Sequence, residues 1–499
     1  MAKWFFFGLY IIITIYLAYL GKQKTKSLKS FAVGDGNMNP WIVAVALAAS
    51  MTSTATFIIN PGIVYAFGLS AIMGYGISAG LGLFMGIIIL SKGFRKIGWR
   101  SDTLTVPQWM GTRYNDKRFT LIYAAVNLLL IAMVVLIAYG SAMLIDYTLG
   151  ISAFFPKFHF EITLVFVILF VFTYISFGGT YAHAYTNTVQ GALMFIIAIV
   201  LIASGIPYLK VGLFSTLAAE NPLLVNVVNP QSLFFRNIFE IFIANFLVGF
   251  ALTVQPHFLI KSMYVKDEKA VNKYLTIAVL MGIVFSFVLL LGLFARAKFG
   301  PQFLANVDTV AAIYIVRTFT PLVGVIISIA ILAAAMSTLD GILVALSAII
   351  ANDFFLVLNE KRLANYSAEE RLTLALKIGR YSLIGLAIIT LVLGLGQHYY
   401  KQFSVAVFAQ TWIYALFNAT FIPLLFGMFI KNVNKWWVLS ASGLSIMVHL
   451  IFRYGKLSLL TDADWVNPGL TAAYGLIASL TLMGVFYLLA YLRQAKAIQ

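Results

Sequence analysis

The chain has 499 residues, of which 62% are hydrophobic and only 10% charged, with a mean hydropathy of +0.95. A soluble domain keeps roughly a quarter of its residues charged, so this composition excludes one and points to many membrane spans. The formal charge of +17 comes from basic residues that flank apolar runs and orient the chain rather than bind nucleic acid, and the lack of cysteine excludes a disulfide framework, a thiolate metal site and a thiol nucleophile.

In chain order, apolar runs of about 18 to 30 residues predict thirteen spans, near 3–21, 40–67, 70–93, 119–146, 160–178, 182–206, 232–260, 271–297, 320–351, 374–397, 403–429, 436–453 and 469–492. The first run is followed directly by Lys22, Lys24, Lys26 and Lys29, the pattern of an anchor with its N-terminus outside rather than of a secretory leader. Cytoplasmic segments then collect Lys22 to Lys29, Lys92 to Arg118, Lys261 to Lys273, Lys361 to Arg380, and Lys431, Lys435, Arg493 and Lys496. That is about 24 of the 34 basic residues, the sense the positive-inside rule requires. An even number of spans would break the alternation, and thirteen leaves the C-terminus cytoplasmic. The longest polar connections, near 207–231 and 352–373, are about 20 residues each and too short for a separate domain. Function must therefore lie among the helices.

Two stretches depart from plain apolar helix. "ALAASMTSTATFIINPG", residues 46–62, sets Ser50, Thr52, Ser53, Thr54 and Thr56 close together ahead of Asn60, Pro61 and Gly62. In a bilayer a helix is interrupted only where the freed backbone groups line a cavity or bind a ligand, and short hydroxyl side chains compete with backbone hydrogen bonds. "ILAAAMSTLDG", residues 331–341, puts Ser337 and Thr338 deep in a long span with Asp340 two positions on. Each stretch has a plain packing reading, because Ser and Thr are common where membrane helices meet. Taken together, hydroxyl and carbonyl oxygens from two helices complete a shell suited to Na⁺, a hard cation that prefers oxygen.

With these stretches in view, the sequence resembles the solute:sodium symporter family, which holds proline, sialic acid, pantothenate and monocarboxylate symporters and the sodium–glucose cotransporters. The resemblance runs over nearly the whole chain: "FAVGDGNMNPW" before the first core helix, "ATFIINPGIVYAFG" at its exit, "TVPQWMGTRY" in an intracellular loop, "QPHFLIKSMYVKDEKAVNKYLTIA" after the sixth core helix and, most specifically, "AAAMSTLDGILVALSAIIANDF". It implies an all-α polytopic membrane protein with the five-plus-five inverted-repeat fold, whose site lies near the midplane between discontinuous first and sixth core helices. The spans then divide into an extra helix and basic loop (1–39), a first repeat (40–206), a second repeat (207–429) and two trailing helices (430–499).

The resemblance further implies a sodium site made of the carbonyls of Ala49, Thr52 and Ala334 and the hydroxyls of Ser337 and Thr338. Ser53, Thr56, Phe250, Thr253, Gln410 and Tyr414 come from helices that line the solute cavity in relatives, though each also has a packing reading. Members with a second sodium site carry a fifth-helix carboxylate where this chain has Asn187, and Asp340, three residues after Ser337, could supply the missing charge. The expected function is sodium-coupled import of a small organic solute, such as a monocarboxylate, an amino acid like proline, or a pantothenate-like molecule, across the cell membrane. Na⁺ is the coupling ion, and the partners are the solute and the lipid bilayer. A proton-coupled symporter using Asp340 is the nearest alternative, and a membrane-embedded transferase the more distant one, since it needs convergent acid and base groups that five unpaired histidines do not supply. Lesser expectations are an Arg236–Glu240 pair, a hydrogen-bonded interfacial His183, a chance glycosylation match at Asn418, and a solvated cytoplasmic loop holding Asp353 and Glu360.

Overall fold

The computed structural model describes residues 2–53, 55–400, 405–460 and 466–498; Thr54 of the hydroxyl-rich stretch lies outside them. Among the described residues the regular elements are all helical. Ten of the described helices are long and apolar enough to cross a membrane, and two more spans arise as bent pairs among the described residues, Pro40–Met51 with Ala55–Phe67 at 54° and Phe239–Leu252 with Pro256–Met263 at 65°. One helical run, His159–Lys210, has 52 residues, far more than the roughly 20 that cross a bilayer. It turns at Gly179, whose φ of +49° and ψ of −138° lie outside the helical region and suit a residue without a Cβ. Divided there, the run supplies the last of the thirteen spans that hydropathy predicts.

Both bends have local causes. Asn39 caps the first helix by accepting from the Trp41 N–H, and Pro40 takes the first turn, where its missing donor costs nothing. The helix stops at Thr52, which is extended (φ −113°, ψ 100°), and the Ser53 hydroxyl then accepts the Ala55 N–H at 3.2 Å. Short hydroxyl side chains thus take up backbone groups that a helix would otherwise pair. In the second pair Gln255 is extended (ψ 132°) and Pro256 restarts the chain as a new first turn.

The Pro321–Ile349 helix is the axis of the molecule, buried without interruption from Ile329 to Ile349, as expected of a helix apolar all round. The His159–Ala203 helix packs against it and against Pro40–Met51. Gly191 sets that last approach: a Cβ there would stand 2.6 Å from Val45 Cγ1 and 3.2 Å from the Ala49 Cβ, so only glycine lets the two backbones come this close.

At one end of the bundle the expected solvated loop is instead part of the packing. Asp353 lies in the helical segment Ile350–Leu356, fully buried, accepting from Thr105 Oγ1 at 2.9 Å and Asn352 Nδ2 at 2.8 Å. Thr105 is the N-cap of Val106–Tyr114, so the buried carboxylate fixes that helix's start. Glu360 is exposed as expected and pairs with Lys117. The Arg236–Glu240 pair forms at 2.5 Å, and Asn418 is buried within its span, where its amide meets the Tyr414 carbonyl and Ser445 Oγ.

Candidate functional site

Where the Pro40–Met51 helix ends, its regular ladder of partners runs out, and the Ala49 and Ser50 carbonyls meet hydroxyls in the middle of the Pro321–Ile349 helix. Ser337 Oγ lies 3.0 Å from the Ala49 carbonyl and 2.9 Å from that of Ala334. Thr338 Oγ1 lies 3.1 Å from the Ser50 carbonyl and 3.4 Å from that of Ala334. Four of the five expected cation ligands, Ala49, Ala334, Ser337 and Thr338, therefore share one pocket, and the Ser50 carbonyl joins them. Thr52, the fifth, follows directly: it is buried, and its N–H returns to Ala49 O at 3.2 Å. Every one of these groups is a neutral oxygen buried from solvent, a donor set that fits a hard monovalent cation and offers nothing to a soft metal. Among the described residues no group of three or more His, Asp or Glu side chains could hold a metal ion.

Asn187 bridges the helices around this pocket, donating from Nδ2 to the Ser337 carbonyl at 3.1 Å and to Ser50 Oγ at 3.3 Å. Its Oδ1 is buried with no hydrogen-bond partner. Asp340 turns away from the pocket toward the His159–Ala203 helix, where it accepts from the Tyr174 hydroxyl and from Thr186 Oγ1 at 3.2 Å. The three-residue spacing from Ser337 thus leaves the two side chains with separate partners.

Two residues stand apart from their expected settings. Lys261, which the charge count assigns to a cytoplasmic loop, is fully buried in the turn Ile260–Met263. Its Nζ reaches Ser50 Oγ at 2.9 Å, His183 Nε2 at 2.8 Å and the Ala46 carbonyl at 3.3 Å. His183, expected at an interface, is buried as that lysine's partner. The available sequence signal was an isolated cation within the apolar stretch from Pro256 to Val265.

The expected solute-lining residues divide. Ser53, Thr56, Phe250, Gln410 and Tyr414 are half-buried, whereas Thr253 is fully buried and its hydroxyl closes onto its own helix at the Phe250 carbonyl, 2.7 Å away. Thr253 Oγ1 would meet a Cβ on Gly86 at 2.7 Å, which marks it as a helix-packing residue. The Phe250 ring stands edge-to-face on Phe421 at 5.7 Å, and Tyr414 packs beside Phe417 at 5.6 Å.

Comparison with known proteins follows the geometry. The model of the sodium:solute symporter family matches residues 31–442. A sodium/proline symporter of Staphylococcus aureus is 28% identical over 471 residues, covering 92% of this chain and 86% of that protein. Among solved structures, a Na⁺-coupled sialic acid symporter in a substrate-bound outward-open state superposes with a TM-score of 0.74 at 18% identity, over 97% of this chain and 98% of that one. Mhp1, a nucleobase-cation-symport-1 family transporter in a closed conformation, superposes at 0.52 with 14% identity, over 91% and 92%. At these identities the structural likeness speaks for the fold alone.

Proposed function

The chain belongs to the sodium:solute symporter family, and from that premise we propose how this sodium-coupled symporter divides its work among residues. The sodium ion is held by the carbonyls of Ala49, Thr52 and Ala334 and by the hydroxyls of Ser337 and Thr338. The observation that carries this reading is the convergence of Ser337 and Thr338 on the carbonyls at the broken end of the Pro40–Met51 helix. The repeats span 40–206 and 207–429, with 1–39 and 430–499 as flanking helices. The protein is multi-pass in the cell membrane, its N-terminus outside and its C-terminus in the cytoplasm, supported by the loop charge bias.

The solute is a small organic carboxylate, of the monocarboxylate, proline or pantothenate-like kind, lying beside the ion against Ser53, Thr56, Phe250, Gln410 and Tyr414. The sodium/proline symporter relative favours this class. Sodium and the exposed ends of broken helices answer the carboxylate's charge. Coupling is linkage: sodium fixes the unwound end of the Pro40–Met51 helix in the shape that binds solute, and solute raises sodium affinity by the same factor. Inward movement of one Na⁺ down about −100 mV supplies roughly 2.3 kcal/mol from voltage alone.

The test is uptake by purified protein in proteoliposomes. Labelled monocarboxylates, proline and pantothenate are offered with an inward Na⁺ gradient against a choline control, in wild type and in Ser337→Ala/Thr338→Ala. Sodium-dependent uptake that collapses in the double variant supports the assignment. Uptake indifferent to sodium and to both hydroxyls overturns it and moves the coupling to Asp340 and protons.

A further inference from the structure

Inside a bilayer a polar atom without a partner has no water to turn to, so one kept buried beside lipid calls for an explanation. Gln190 holds such an atom. The residue is 2% exposed, and its Nε2 donates to the Tyr10 hydroxyl at 2.8 Å, while Oε1 is buried with no hydrogen-bond partner. The Tyr10 hydroxyl in turn donates to Met336 Sδ at 3.2 Å. Turning the amide over only moves the deficit, since Oε1 would then face Tyr10 and Nε2 would be left unanswered. In either orientation one polar atom of Gln190 is left over.

Gln190 lines a crevice of about 200 Å³ between the Ala2–Lys24 helix, the second half of the His159–Ala203 run and the start of the Pro321–Ile349 helix. The other walls are nearly all apolar, with Phe6, Leu17, Leu193 and Ile326 among them. Leu9, Ile13 and Val189 also line it and are exposed on the outside of the bundle, as are the neighbouring Phe5, Ile12 and Ile15. Acyl chains cover such a face in a membrane, so the crevice is reached from the bilayer and not from water. Depth then narrows the choice of occupant. Gln190 lies about 16 Å of helix beyond the turn at Gly179 that joins the two spans, near the middle of a hydrocarbon core roughly 30 Å thick. The polar groups of a phospholipid stay at the interface, too far away to answer it. An occupant must carry its own polar group into the hydrocarbon.

We propose that this crevice is a binding site for a medium-chain alcohol, entered from the bilayer, whose hydroxyl bonds the Gln190 amide and whose alkyl chain lies against Leu9, Ile13 and Leu193. A hydroxyl both donates and accepts, so it satisfies the amide in either orientation, which a pure acceptor such as a ketone or an ether does not. A neutral head group also enters hydrocarbon at far smaller cost than a charged one. At the packing density of a protein interior the volume suits a chain of about eight carbons. The site stands one helical turn from Asn187 and, through Tyr10, against Met336, the neighbour of Ser337. Alcohol binding there requires no sodium.

The experiment is photolabelling of the full-length protein in phospholipid nanodiscs with an octanol that carries a diazirine on its chain, followed by peptide mapping. Saturable labelling is expected within 6–17 and 186–193, displaced by 1-octanol and not by octane. In Gln190→Leu the half-saturating concentration should rise about tenfold, the worth of one hydrogen bond to a buried amide. Octane displacing the label as well as octanol does, labelling spread evenly over the lipid-facing helices, or a Gln190→Leu chain that labels like wild type overturns the proposal. A second variant guards against a Gln190→Leu chain that does not fold. Leu9→Trp keeps the amide and fills the crevice from its lipid-facing mouth, and saturable labelling of both segments should be lost. Labelling that survives in that variant overturns the site.

Discussion

Two neighbouring polar regions of this bundle solve the burial problem in opposite ways. The pocket around Ser337 and Thr338 holds only neutral oxygens, each with another oxygen within hydrogen-bond distance. The region beside it holds two fully buried ionisable side chains, Lys261 and Asp340, each hydrogen-bonded to neutral groups and with no direct bond between them. Neutral oxygens accept an ion and release it without leaving a charge stranded, which suits a site that must fill and empty in every cycle. Side chains tied to neutral partners on several sides suit a place that keeps its shape. The difference is a separation of labour within one short stretch of helix, with Ser50 touching both sides.

Experiments can break that comparison, and the largest effect is expected on the exchanging side. Ser337→Ala/Thr338→Ala removes both hydroxyls of the proposed sodium site, and at about 1.5 kcal/mol for each bond to a charged group, sodium affinity should fall on the order of a hundredfold or more, read by equilibrium ²²Na⁺ binding. Next comes the fixed side. Asp340→Asn replaces the acceptor shared by the Tyr174 and Thr186 hydroxyls with an amide that turns an N–H toward one of them, a buried mismatch of about 1–3 kcal/mol, so the thermal midpoint in detergent should drop by a few degrees.

A smaller effect tests the wall the two regions share. Gly191→Ala presses a methyl into Val45 and Ala49, and overpacking of this kind costs about 1–3 kcal/mol. It should lower sodium affinity several-fold by shifting the Ala49 carbonyl, measured in the same binding assay. The smallest is a control far from both regions. Lys117→Ala breaks an exposed pair with Glu360, and neither the midpoint nor sodium binding should move beyond experimental error.

The fold was legible in the sequence because membrane spans announce themselves by length and hydropathy. So was the meeting of the two hydroxyl-bearing stretches, since hydroxyls in mid-span at Ser50–Thr56 and Ser337–Thr338 cost helix stability and ask for a reason. The fixed cluster was not legible. Lys261 sits among the basic residues that follow the sixth core helix, and a count of loop charges cannot tell a lysine facing water from one that the Gln255–Pro256 bend carries back into the bundle. Asp353 was hidden for the same reason: its place after a long apolar run reads as a loop, and only its contact with the Thr105 hydroxyl reveals a buried helix-end support. The setting of Thr253 was hidden in another way. Its helix lines the expected cavity, but the rotation that puts its hydroxyl against Gly86 follows from tertiary packing, which no periodicity reports.

The unbroken burial of the Pro321–Ile349 helix from Ile329 to Ile349 has a consequence for how this protein can change over generations. A surface helix offers mutation a free face every few residues, whereas this one offers none over that stretch. Scored across every substitution, it should stand out as a continuous band of intolerance rather than the usual striped pattern, admitting only replacements of nearly equal volume. Diversification of what the transporter carries must then come from the broken helices around it, which still have half-buried positions to spend.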